Sequence, residues 1–181
     1  MHAGGFCLFE TPIGGCAIAW SDAFIVGVLL PEDDAAQTLP RMQRRFPQAG
    51  ESVPPAWVQS VIERTRQLLE GANMDTLVDV PLDMTDVPEF NRKVYDIARA
   101  IAPGRTMSYG EVAARLGEPG AARAVGQALG HNPFAPIVPC HRVLAAGKRP
   151  GGFSAGGGVV TKLRMLEIEK TQLGDGPGLF D

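Results

Sequence analysis

The 181-residue chain is long enough to bury a hydrophobic core, and 45% hydrophobic with 20% charged residues is an ordinary globular composition. No apolar run approaches the ~20 residues of a membrane span, and the first residues lack the pattern of a secretory signal. Three cysteines do not suggest a disulfide framework and favour a reducing compartment. We therefore expect a protein of the cytoplasm with no membrane partner.

The formal net charge of −3 hides an asymmetry along the chain. Residues 1–84 hold 5 Lys and Arg against 11 Asp and Glu, whereas residues 85–170 hold 12 against 7. Binding to nucleic acid requires Lys and Arg that neutralise phosphates, so the second part is the better candidate for such a surface. A solvated basic face explains the same excess equally well.

The first part of the chain has the pattern of a sheet covered by helices. Helices are predicted over residues 33–46 and 55–69, a further strand over residues 77–82, and a linker over residues 83–87. A domain boundary is placed near residue 85, which gives an N-terminal domain of residues 1–84. Short apolar segments separated by turn residues predict an antiparallel sheet from Phe6–Glu10, Cys16–Trp20 and Phe24–Leu30.

The second part, residues 85–170, is predicted to be mostly helical. An apolar stripe follows Pro88 and ends before Pro103-Gly104, which predicts the first helix. Ser108 and Glu111 have the spacing of a capping box for a second helix, and a third is expected from about Pro119 to Gly130. The last two suggest a helix-turn-helix, although many helix pairs merely pack together. The fold class is therefore α+β, with residues 171–181 as a flexible tail.

One cysteine lies in an apolar segment between a proline and a histidine. A thiol becomes a nucleophile as a thiolate, and His141 is placed to help deprotonate Cys140, directly or through a water. A carboxylate from a later helix, Glu167 or Glu169, could in turn orient the histidine. An inert buried thiol beside a core histidine remains the alternative at this point.

This segment, Pro139-Cys-His-Arg-Val143, resembles the active-site motif of the O6-alkylguanine-DNA alkyltransferases. The resemblance runs from about Phe90 to Glu169, and residues 1–84 match more loosely through Thr11-Pro-Ile-Gly. It rests further on Phe90-Asn-Arg-Lys-Val94, Ser108-Tyr-Gly-Glu-Val-Ala113, Ala121-Ala-Arg-Ala-Val-Gly126 and Asn132-Pro133, in the order and spacing of that family.

The resemblance implies irreversible transfer of the alkyl group from O6-alkylguanine to Cys140 in a single turnover, and it leaves open whether O4-alkylthymine is also a substrate. By the same resemblance His141 is the water-mediated base and Glu169 the carboxylate that orients it. Val143 contributes a carbonyl to the alkylguanine pocket, and Arg142 is a structural pairing residue. No cofactor and no metal are implied, and the protein is expected to be a monomer.

The family's mode of DNA recognition transfers to the predicted helix-turn-helix. Tyr109 matches the tyrosine that contacts the target phosphate and the flipped guanine, and Arg123 matches the arginine that fills the gap left by the flipped base. Ala122 and Gly126 are small residues that let the helix approach the minor groove. Asn132 matches the residue that links this helix to the pocket. The expected partner is double-stranded DNA that contains alkylated bases.

The chain departs from the family after the cysteine. Phe153 stands where relatives usually have a tyrosine, so a hydroxyl that would hold O6 is missing, and the loop is two residues longer. The backbone N–H of Ser154 remains as a donor to O6. Two other readings stay open: a non-enzymatic alkylated-DNA-binding protein of the alkyltransferase-like type, and a helix-turn-helix transcription factor. A zinc site from His2, Cys7 and Cys16 has no ligand spacing to support it.

Overall fold

The N-terminal part of the chain is built on a three-stranded antiparallel sheet. The structure is a computed structural model, and it describes residues 2–145 and 158–171. Strands β1 (Gly5–Thr11), β2 (Gly14–Trp20) and β3 (Ile25–Leu29) pair in chain order. Gly14, at a φ of 119°, closes the turn between β1 and β2 in a conformation that favours glycine. The predicted sheet is confirmed.

Two helices cover opposite faces of this sheet. Helix α1 (Thr38–Arg45) packs Met42 on one face, and α2 (Ala56–Glu70) packs Val58 and Val61 on the other. Both helices were predicted, but α1 is shorter than expected because a separate 3-10 turn, Ala35–Gln37, precedes it. The alternation of side chains along each strand thus supplies two apolar faces.

The prediction of a strand over residues 77–82 was wrong. Within the described part of the chain, this segment forms one isolated bridge, between Leu82 and Ile25, and otherwise turns. Pro81 has no N–H to donate to a ladder, and Leu77 has a φ of 55°, which an extended strand does not adopt. The segment therefore follows the sheet edge without extending it.

The C-terminal part is mainly helical, as predicted. The helices are α3 (Glu89–Arg99), α4 (Tyr109–Arg115), α5 (Ala122–Gly130) and α6 (Gly158–Ile168). Ser108 caps α4 by accepting a hydrogen bond from the Glu111 N–H at 3.0 Å. The Tyr95 hydroxyl donates to the Ala128 carbonyl at 2.7 Å and fixes α5 on α3. Helix α5 begins three residues later than expected, after the Pro119-Gly120 turn.

A pair of two-residue strands was not predicted. Strand β4 (Met107–Ser108) runs parallel to β5 (Val143–Leu144), with Met107 opposite Val143. This pairing places the start of α4 beside the segment that follows Cys140. The same apolar core extends from the sheet through α3 and α5 to this pair. Of the described helices, none is long and apolar enough to cross a membrane.

Candidate functional site

Cys140 begins a short 3-10 helix, Cys140–Arg142, immediately after Pro139. Its N–H donates to the Val138 carbonyl at 2.9 Å, and the residue is 7% exposed. Burial raises the pKa of the Cys140 thiol, an effect that a hydrogen bond from Asn132 and the charge of Lys162 partly oppose. The resting thiol is therefore protonated at neutral pH and needs a base before it can act as a nucleophile.

His141 and Glu169 form a buried pair next to this thiol. The His141 Nε2 lies 2.8 Å from the Glu169 Oε1, and since a carboxylate only accepts, Nε2 is the donor. Burial lowers the pKa of His141 even though Glu169 opposes the shift, so the ring is neutral and its Nδ1 carries a lone pair. That Nδ1 has no hydrogen-bond partner among the residues that the structure describes. His141 thus presents an unoccupied basic nitrogen.

Arg142 holds the other side of the same carboxylate. Its Nε and Nη2 donate to Glu169 at 3.0 and 2.7 Å, and its Nη1 donates to the Ile101 carbonyl at 2.8 Å. Burial alone would raise the pKa of Glu169, but His141 and Arg142 together hold it at about 2. Glu169 is therefore a carboxylate throughout the physiological range. Glu167, the other candidate, is exposed.

Asn132 links the end of α5 to the segment that carries Cys140. Its Nδ2 donates to the Val138 carbonyl at 2.8 Å, and its Oδ1 accepts from the Phe134 N–H at 2.9 Å. The Val138 carbonyl also accepts from the Cys140 N–H, so one acceptor joins Asn132 to the cysteine backbone. The position of the thiol depends directly on this amide.

Lys162 is a buried member of the site that sequence reasoning did not select. Its Nζ donates to the Val143 carbonyl at 2.9 Å and lies 5.9 Å from the centre of the Tyr109 ring. Burial lowers the pKa of Lys162 to about 8, and the nearby Cys140 opposes this shift. A lysine in a helix is ordinarily expected on the surface, so no local pattern indicates that Lys162 is buried.

The candidate DNA-binding residues lie on the surface formed by α4 and α5. Tyr109 is the half-buried first residue of α4, and Arg123 is exposed on the first turn of α5. Ala122 and Gly126 are partly exposed on the same helix. A Cβ placed on Gly126 would meet no atom within 4 Å, so the protein's own packing does not require glycine there.

The remaining sequence-based candidates are the proposed donors to O6 and the cysteines considered for a zinc site. Phe153 and Ser154 lie outside the described residues, so the expectation about their donors stays a prediction. Cys7 and Cys16 are free thiols in the sheet. In residues 2–145 and 158–171, no group of three or more His, Cys, Asp or Glu side chains is arranged to hold a metal ion.

Comparison with known proteins identifies the family. A family profile described as the DNA-binding domain of 6-O-methylguanine DNA methyltransferase matches residues 89–171. A methylated-DNA–protein-cysteine methyltransferase of Methanothermobacter thermautotrophicus is 32% identical over 162 residues, which cover 90% of this chain and 83% of the relative. The chain belongs to the methylated-DNA–protein-cysteine methyltransferase family. The predicted family is thereby confirmed.

Other members of the family extend the similarity. The Mycobacterium tuberculosis methyltransferase is 47% identical over 106 residues, which cover 59% of this chain and 62% of that relative. A crystal structure of Mycobacterium tuberculosis OGT in complex with DNA matches 92% of both chains, with a TM-score of 0.74 and 32% identity. The crystal structure of the O6-methylguanine methyltransferase from the same organism also has a TM-score of 0.74, at 33% identity. These matches confirm the α+β fold.

Proposed function

We propose that the protein repairs DNA by transferring the alkyl group of O6-alkylguanine to the sulfur of Cys140, once per chain. The observation that carries this proposal is the basic Nδ1 of His141, held without a partner by Glu169 beside a buried thiol. A thiol buried only for packing would need no such neighbour. The names of the family members support the same reaction.

The proposed step is a substitution at the alkyl carbon. The Cys140 thiol gives its proton to His141 Nδ1, directly or through one water, while Glu169 stabilises the charged ring. The sulfur then forms a bond to the alkyl carbon, the bond from that carbon to O6 breaks, and its electron pair leaves on the guanine. The guanine takes up a proton. A thioether is a poor leaving group, so the cysteine is not regenerated.

The positive charges of the site favour this step. Lys162 lies beside Cys140, so its ammonium group stabilises a thiolate there more than a thiol. The buried setting strengthens that attraction because little water screens it. Lys162 also donates to Val143, whose carbonyl we propose as an acceptor for the guanine amino group. Phe153 and Ser154 are proposed to line the same alkylguanine pocket.

We propose that α4 and α5 act as a helix-turn-helix that binds the minor groove. The target base must leave the stack to reach a buried cysteine, and Arg123, exposed on α5, is placed to occupy the gap. Tyr109, at the capped start of α4, is suited to contact the phosphate of the flipped nucleotide. The open space beside Gly126, with Ala122 one turn earlier, lets the duplex backbone approach α5 closely.

The proposed organisation follows from this division of roles. Residues 85–170 bind DNA and react, and residues 1–84 support them as a separate domain. The proposed partner is double-stranded DNA with alkylated bases, met by a monomer in the cytoplasm.

Intact mass after incubation with a methylated duplex tests the reaction. We expect a gain of one methyl group per chain, which peptide mapping places on Cys140. Cys140→Ser should abolish the gain, and Cys16→Ser, a buried cysteine in the sheet, should leave it unchanged. Tight binding of the methylated duplex by the wild type without any mass change would contradict the proposal and indicate an alkyltransferase-like protein instead.

A further inference from the structure

Two N–H donors of the N-terminal part reach the carbonyl of Pro133. This carbonyl belongs to residues 132–140, the active-site segment that leads from α5 to Cys140. The Val28 N–H, in strand β3, donates to this oxygen at 2.9 Å. The Arg45 Nη2, at the end of α1, donates to it at 3.2 Å. A carbonyl has two lone pairs, so these two donors complete its hydrogen bonding. Strand β3 and helix α1 thus both hold the same oxygen atom.

Pro133 lies between Asn132 and Phe134, which the Asn132 side chain joins by a hydrogen bond. The Asn132 Oδ1 accepts from the Phe134 N–H across the proline, and its Nδ2 reaches the Val138 carbonyl that Cys140 also uses. A shift of the Pro133 peptide therefore moves Asn132. The Val138 carbonyl, which accepts from both the Asn132 Nδ2 and the Cys140 N–H, would move with it.

Apolar packing beside this contact leaves a gap. A cavity of about 230 Å³ lies between β3, α1, the end of α5 and the active-site segment, and Arg45, Asn132 and Cys140 all line it. Side chains that border a void lack contacts on one side and move more easily than those in a filled core. The two hydrogen bonds to Pro133 therefore contribute more to holding the active-site segment in place than they would in a filled core.

Strand β3 is shaped to admit the Arg45 side chain. A Cβ on Gly27 would lie 2.9 Å from the Arg45 Nη2 and 2.8 Å from the Phe46 Cζ. Since real Cβ atoms do not approach that closely, any other residue at position 27 would displace the guanidinium group. Glycine in the middle of a strand weakens the strand, so its presence here has a local reason.

We propose that Arg45 is a positioning residue, which holds the Pro133 carbonyl and through it keeps Asn132 in the place that orients the Cys140 thiol. The inference rests on the proposed function for its kinetic consequence. It assigns the N-terminal part a role in reactivity through one arginine, Arg45, which acts on the cysteine by way of Pro133 and Asn132.

The test compares three variants at neighbouring positions. Arg45→Met keeps the length of the side chain and removes the donor, Arg45→Lys keeps a cationic donor, and Arg44→Met removes the same charge from an exposed position of α1. Single-turnover rates are measured with free O6-benzylguanine and with saturating methylated duplex. We expect Arg45→Met to react about tenfold more slowly with both substrates, because a small misplacement of reacting groups costs rate steeply. Arg45→Lys should recover part of the loss, and Arg44→Met should react at the wild-type rate.

A direct titration of the Cys140 thiol by NMR, with ¹³C-labelled cysteine, needs no substrate. The Asn132 hydrogen bond lowers the pKa of this thiol, so Arg45→Met should raise it and shift the rate profile to higher pH. Gly27→Ala, which displaces the guanidinium while leaving Arg45 in the chain, should have the same effect. Unchanged rates and an unchanged thiol titration in folded Arg45→Met would overturn the proposal. A wild type that shows no transfer would refute the proposed function instead, and the titration would still decide the role of Arg45.

Discussion

The buried cluster around Glu169 and the exposed surface of α5 are built in opposite ways. Arg142, His141 and Glu169 hold one another at 3.2 Å or less and are almost inaccessible to water. Arg123 is exposed, and the space beside Gly126 is open. The first region is organised by partners within the chain, whereas the second has the exposure that the proposed contact with DNA requires. Changes in the first should affect folding and chemistry together, and changes in the second should affect the binding and repair of DNA alone.

The largest effect is expected from Glu169→Gln. The change leaves the Arg142 guanidinium buried beside a neutral amide, and breaking such a pair costs about 3–5 kcal/mol of unfolding free energy. It also removes the charge that stabilises protonated His141, so transfer should slow about 100-fold or more even with free O6-benzylguanine. Chemical denaturation and single-turnover kinetics measure the two losses. Glu167→Gln, two residues earlier on the exposed face of α6, is the control; equal behaviour of the two variants would refute this view of the cluster.

The acid stability of the protein should depend on the same carboxylate. Its pKa is lowered from 4.5 to about 2 in the fold, so its contribution is complete above pH 4.5 and is lost as pH falls through about 2. Between about pH 6 and pH 2 the wild type should lose about 3 kcal/mol more unfolding free energy than Glu169→Gln. Denaturation series at several pH values measure the difference. If both proteins lose the same amount, Glu169 is not the group that titrates.

Arg123→Ala tests the exposed region. Because this side chain is exposed among the residues that the structure describes, we expect unchanged stability and an unchanged rate with free O6-benzylguanine. Repair of a methylated duplex should slow about 10- to 100-fold, since flipping a base costs a few kcal/mol that the arginine helps to offset. Arg44→Ala removes an equal charge from an exposed position of α1 and serves as control. Equal losses on both substrates would assign Arg123 to the chemistry.

The smallest effect is expected at Gly126, where stability and binding should change in opposite directions. Alanine in a helix is favoured over glycine by about 0.5–1 kcal/mol, and the Cβ meets no neighbour, so Gly126→Ala should stabilise the protein. Its affinity for duplex DNA should nonetheless fall, while its reaction with the free base stays constant. Thermal denaturation and a binding titration measure the two quantities. Unchanged affinity would show that the duplex does not approach this side of α5.

Local patterns in the sequence predict the main helices and the three-stranded sheet. In each of them the apolar residues repeat over enough positions, or turn residues mark the ends. The pairing of Met107–Ser108 with Val143–Leu144 has neither, since two residues show no alternation and their partners are distant in the chain. The predicted strand over residues 77–82 was wrong for a different reason. Leu77, Val80 and Leu82 are buried as a strand pattern suggests, but Val78 is exposed, and around Pro81, which has no N–H, the backbone makes only an isolated bridge.

The sequence predicts residues of the site only where a motif marks them. Cys140 and His141 are adjacent in the chain, so their combination is visible directly. Lys162 was missed because its environment is made by residues from other elements, the Val143 carbonyl and the Tyr109 ring. The contact from Arg45 to Pro133 spans 88 residues, and neither end has a pattern that indicates the other.

The pair of Arg142 and Glu169 restricts how this protein can change over generations. A single substitution at either position leaves one charge buried without its partner, and that loss of about 3–5 kcal/mol is a large part of the stability of a small domain. Replacing both residues together by apolar ones removes the buried charges, but it also removes the acceptor of the His141 Nε2. A different core at this place therefore requires His141 to change as well, so three residues must be replaced together.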